Sequence, residues 1–150
     1  MLNISIDLGD VPSVLAALAS EQTVIKATYV AAEGYIDDVL ETIHSGRSFK
    51  TRTGQLEQSV NWTPAGNDSA LVFANAKHAP YVEFGTRPHV ISAKNRKALK
   101  IPSAGGFFFR KSVNHPGSRP FPFFYTDMGN REQKMMNRIR SVLAEAGAND

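Results

Sequence analysis

The sequence predicts an α+β fold: a long N-terminal helix, an antiparallel sheet of about four strands, and a C-terminal helix packed on that sheet. Three observations carry the prediction. Apolar residues recur at helical spacing between about residues 11 and 45. Short apolar runs punctuated by turn residues fill the region 59–115. Helical spacing returns within about 122–146, the second part of a loop-and-helix region over 116–146. A length of 150 residues suits one domain over 1–150, large enough for a substantial core.

The elements follow in order. Residues 1–10 form an N-terminal segment. In 11–45, Leu15, Gln22, Tyr29, Ile36 and Ile43 recur every seven positions, and Leu18, Ile25, Ala32 and Val39 form a second line on the same face. Asp10 or Ser13 can cap the start, Pro12 fits the first turn, and Gly46 is a good C-terminal stop. Such a helix would be about 50 Å long, and Gly34 is a point where it could break. The stripe reads as core packing, or in part as a seat for a neighbouring subunit. Residues 46–58, GRSFKTRTGQLEQ, read as an exposed, mobile loop with a helical turn near Leu56.

SVNWTP and ALVFANA are strands joined by the turn AGNDS. Alternation puts Val60 and Trp62 on one face, and Leu71 and Phe73 likewise. In APYVEFGTRPHVISA, Gly85 permits a positive-φ bend and Pro88 holds Arg87 extended. ALKIP and GFFFRKSV make a further strand pair around the flexible SAGG. Phe107, Phe108 and Phe109 cannot share one face of a strand, so at least one is expected in the core. NHPGSRPFP is a Pro/Gly loop. In the last helix Met135, Ile139 and Val142 or Leu143 should face inward, with Arg131, Lys134, Arg138 and Arg140 in water. AGAND ends it and frays.

The net charge of +3 conceals a division. Residues 1–46 carry one basic and seven acidic residues, a balance of −6. Residues 84–126 carry Arg87, Lys94, Arg96, Lys97, Lys100, Arg110, Lys111 and Arg119 and no acid, a balance of +8. Such polarity marks a surface made for a partner, either nucleic acid or the acidic end of another copy. The absence of cysteine excludes disulfides, thiolate metal sites and a cysteine nucleophile. No apolar run approaches ~20 residues, and the N-terminus lacks the basic region of a signal peptide.

Catalytic patterns are missing. His78, Glu83 and His89 have no known metal-ligand spacing. No nucleophile elbow or phosphate-loop signature is present. Glu83 is the one acid between Ser69 and Thr126, which suits an ion-pair partner better than a general base. The expectation is therefore a protein that is not an enzyme and holds no cofactor. Phe107, Phe108 and Phe109 beside Arg110 and Lys111 have the composition of a surface that neutralises phosphates and stacks bases, so a small basic nucleic-acid-binding module is the alternative reading.

Three segments, TGQLEQSV (53–60), HAPYVEFGTRP (78–88) and HPGSRPFPFF (115–124), together resemble the HK97 gp10-like family of tailed-phage neck and tail-completion proteins. The resemblance implies a structural virion protein, made in the host cytoplasm, that forms a ring in the neck or at the head-proximal tail end and joins tail to head around the DNA channel. Such rings are commonly six-fold on the tail side. They touch neighbouring neck, connector and tail-tube proteins and lie close to DNA. On this reading Glu83, Gly85, Thr86 and Arg87 are candidates for a subunit interface or ion pair, in a turn that aims the next segment. Lys94, Arg96, Lys97, Lys100, Arg110, Lys111 and Arg119 are candidates for a basic surface facing a partner or DNA. The loop 46–55 and the segment 86–112 are the candidates for ordering on assembly.

Overall fold

The computed structural model describes residues 1–8, 20–46 and 53–147. The chain runs β1 (Leu2–Asp7), α1 (Glu21–His44), α2 (Gln55–Gln58), β2 (Val60–Pro64), β3 (Ser69–Ala74), α3 (Ala79–Phe84), β4 (His89–Ser92), β5 (Leu99–Ser103), β6 (Gly106–Arg110), β7 (Ser112–His115) and α4 (Met128–Gly147). The class is α+β, as expected.

The main sheet has three antiparallel strands in the order β1-β3-β2. Its edge strand β1 comes from the segment to which the sequence reading gave no element. LNISID alternates apolar and polar residues, and Leu2 and Ile6 are buried. The register sets Val60 opposite Ala74 and Trp62 opposite Val72. Ala70, Val72 and Ala74 are therefore the buried face of β3, and Leu71 and Phe73 lie half-buried on the opposite one.

Helix α1 lies on the inner face of this sheet. Ser20 is its N-cap, with extended backbone and its hydroxyl accepting from the Thr23 amide at 3.3 Å. An unbroken helix from 11 to 45 is thereby corrected, because α1 starts only after Ser20, whose backbone is extended. The expected caps Asp10 and Ser13, Pro12, and the stripe positions Leu15 and Leu18 lie outside the described residues. Gly46 ends the helix at φ 63, as expected, and its amide donates to the Ile43 carbonyl. Gly34 does not break the helix. It is where the Arg138 side chain crosses, and a Cβ there would collide with the guanidinium.

Buried residues surround much of α1, from Ala27, Ala31 and Tyr35 to Ala32, Val39 and Ile43, because the helix is covered on two sides. The sheet covers one. Antiparallel α4 covers the other, with Ile139 and Val142 in the shared core. The C-terminal helix thus meets α1 as its main partner. Asp38 is buried on α1 between Lys134 at 3.1 Å and Arg138 at 3.3 Å. Arg131, expected in water, is only 3% exposed.

Strands β4 to β7 take no part in that core. β4 pairs with β7 and β5 with β6, both antiparallel, so residues 89–115 form one nested hairpin. A two-residue turn, Ala104-Gly105, closes the tip. Residues 93–98 bulge out opposite Lys111, whose carbonyl receives the Ala93 amide. The expectation that one of the three phenylalanines enters the core is corrected. Phe107, Phe108 and Phe109 are 59%, 42% and 65% exposed, because the arm has no layer beneath it.

Candidate functional site

The stretch from Tyr81 to Pro88 lies at the root of this arm. α3 carries Glu83 inward, where it is 3% exposed. One oxygen, Oε2, accepts from the amides of Phe123 (2.8 Å) and Phe124 (2.9 Å), and Oε1 accepts from that of Tyr125 (3.0 Å). Arg131 holds the same segment from its carbonyl side. Its Nη1 donates to Phe124 O at 2.6 Å, and its Nη2 to Phe123 O at 3.0 Å and Thr42 Oγ1 at 2.7 Å. The Tyr35 hydroxyl also donates to Phe124 O, at 2.6 Å. Burial raises the Tyr35 pKa above its ordinary value, with the Arg131 guanidinium pulling the other way. Residues 123–125 are therefore gripped between a buried carboxylate and a buried guanidinium.

Next to this grip the backbone crosses itself. Thr86 and Ser118 exchange amide–carbonyl hydrogen bonds at 3.0 and 3.1 Å, and the Val82 carbonyl accepts from the Phe121 amide at 2.8 Å. Gly85 (φ 71) and Gly117 (φ 86) allow the close approach. A Cβ on Gly85 would strike the backbone of 118–120, and one on Gly117 the backbone of 86–88. Both positive-φ positions favour glycine on conformational grounds too. Two of the segments singled out in the sequence are thus halves of one clasp, and the arm leaves from it on both strands. Thr86 adds a side-chain contact to Ser118 at 3.1 Å.

The predicted site residues divide accordingly. Glu83, Gly85 and Thr86 build the clasp. Among the described residues no ion pair joins Glu83 to Arg87, since the carboxylate is engaged by three amides. Arg87 is exposed at the root. Lys94, Arg96 and Lys97 occupy the exposed bulge. Lys100 lies 3.9 Å over the Phe107 ring, Arg110 6.0 Å from that of Phe108, and Arg119 4.8 Å from that of Phe121. Lys111 faces the bulge. His89 and His115 are cross-strand partners at the root, their rings 5.0 Å apart.

Sequence reasoning missed Arg131 and the buried Asp38, which side-chain type alone sends to the surface. It also missed an exposed acidic row, Glu33, Asp37 and Glu41, although the four-residue spacing is plain in the sequence. No helix of the described residues is long and apolar enough to cross a membrane.

The described residues thus form a small α+β body, a clasp and an unpacked basic arm. Over residues 13–85 the chain matches the HK97-gp10-like family model, described as "Bacteriophage HK97-gp10, putative tail-component". This agrees with the resemblance read from the sequence, and the match runs from residue 13 to the Gly85 turn, just under half of the 150-residue chain. It takes in TGQLEQSV and the first part of HAPYVEFGTRP, while HPGSRPFPFF lies beyond it. Comparison with curated proteins and with solved structures gives no match.

Proposed function

We propose that this chain is a structural ring protein of a tailed phage, placed in the neck or at the head-proximal end of the tail, where it joins tail to head around the DNA channel. Six copies would form the ring, with neck or connector proteins above and the tail tube below. The arm carries this reading. A two-stranded ribbon is marginal in water on its own, and this one exposes Val90, Phe107 and Phe109 at about three-fifths of their surface each. A surface of that kind calls for a covering partner, and the family match makes other tail components the natural source. The clasp supports the reading because it fixes the direction in which the arm leaves the body.

Gold-labelled antibody against the chain, applied to virions that contain it, tests the placement. Label at the head–tail junction is expected. Label along the tube or at the distal tip overturns it.

One observation favours the second reading, a nucleic-acid contact. Phe107 and Phe109 stand exposed near Lys100 and Arg110, an aromatic and basic surface of the sort that stacks bases. Retention of DNA that falls steeply with salt, by a chain that never assembles, would favour it.

A further inference from the structure

The arm displays two kinds of unsatisfied surface. On one face, Lys100 pairs across the ribbon with Phe109, and Phe107 lies two residues away on the same side. At the bulge, Lys94, Arg96 and Lys97 are exposed. Among the described residues, no ion pair joins an arm cation to any acid of the same chain.

The body carries a complementary surface. Glu33, Asp37 and Glu41 are exposed and stand one turn apart on α1, a row about 12 Å long at 1.5 Å per residue. None of the three has an ion-pair partner among the described residues. The adjacent cations Lys134 and Arg138 are engaged by Asp38. Val30 and Leu40, three residues from Glu33 and Asp37 respectively, are only partly buried, so the row is bordered by apolar surface.

Reach is sufficient. Residues 93–98 loop out and add no length, so the ribbon projects by the span of its shorter strand, 106–115, about 30 Å at ~3.3 Å per residue. That exceeds both the acidic row and the half-width of a body of this chain length, about 20 Å.

We propose that the basic arm of one copy lies across the acidic α1 row of the next copy. Lys94, Arg96 and Lys97 meet Glu33, Asp37 and Glu41 and set the register. Phe107 and Phe109 bury against Val30 and Leu40. Because the two surfaces differ, the contact is head-to-tail and closes into a ring when the rotation permits. The inference rests on the ring reading above and names the surfaces that make the ring.

Charge reversal tests it, with assembly read by light scattering. Glu33→Lys, Asp37→Lys and Glu41→Lys together should lower the assembled fraction at least tenfold, and so should Lys94→Glu, Arg96→Glu and Lys97→Glu. Both variants should keep the wild-type circular dichroism and unfolding midpoint, since all six positions are exposed. Mixing the two variants, or combining all six changes in one chain, should restore assembly. If either folded variant assembles like the wild type, or the mixture and the combined chain both fail, the arm–helix contact is wrong and the ring reading stands. If the wild type itself never assembles, the ring reading falls and the contact with it. Loss of DNA retention with assembly intact, in the arm variant, would place the arm on nucleic acid and overturn the contact.

Discussion

Glu83 shows why residue type alone misled the reading of this site. A lone acid in a basic stretch suggests an ion pair, yet its partners are three backbone amides, from residues 123, 124 and 125. A carboxylate that accepts several amide hydrogen bonds is strongly held, and its loss leaves buried donors unpaired. Glu83→Gln keeps the shape but turns a donor group toward donors, so it should cost about 3 kcal/mol in urea unfolding. Gly85→Ala combines positive-φ strain with a backbone collision and should cost about 2 kcal/mol or more. Tyr35 gives a pH signature. Its folded pKa is raised by burial, so its contribution is fully present below the unfolded value of about 10 and is lost as pH rises through the folded value. Stability measured by chemical denaturation should therefore fall above about pH 10. Tyr35→Phe should remove that part of the alkaline fall and cost about 1 kcal/mol at neutral pH for the hydrogen bond to the Phe124 carbonyl.

At the scale of elements, periodicity decided what was legible. β2, β3 and α4 each turn one face to the core, α1 is covered by the sheet and by α4, and apolar spacing shows all four. β1 was missed because its alternation is short, only six residues from Leu2 to Asp7. In the arm, β5 and β6 were found as a strand pair, β4 was not singled out as a strand, the end of β7 was read as loop, and the environment of all four was misjudged. Pattern reading assumes that apolar residues mark a core, and here they mark a surface left open. The basic block was legible from composition alone, as was Gly85 from its need for positive φ. The clasp was not, because nothing in the sequence states that Glu83 reaches residues 40 positions away. The arm's exposure makes a direct prediction. Phe107→Ser with Phe109→Ser should change the monomer's stability by no more than about 0.5 kcal/mol, since neither ring contributes to the core. The same pair should abolish assembly, as seen by sedimentation.

For the whole molecule the governing feature is separation: an acidic N-terminal part, a basic arm, and a clasp that fixes the arm's root. A contact made by charges alone would dissolve in salt, because exposed charges are screened within about 4–5 Å at 0.5 M. A contact anchored by phenylalanines persists, because apolar burial is not screened. The central claim is that this chain closes into a ring. The most direct measurement is the mass of the purified protein by light scattering, with negative-stain images, at low salt and at ~0.5 M salt. The account predicts a closed ring with a central hole in both. A chain that remains a monomer at both salt concentrations, alone and with tail-tube protein supplied, would contradict it.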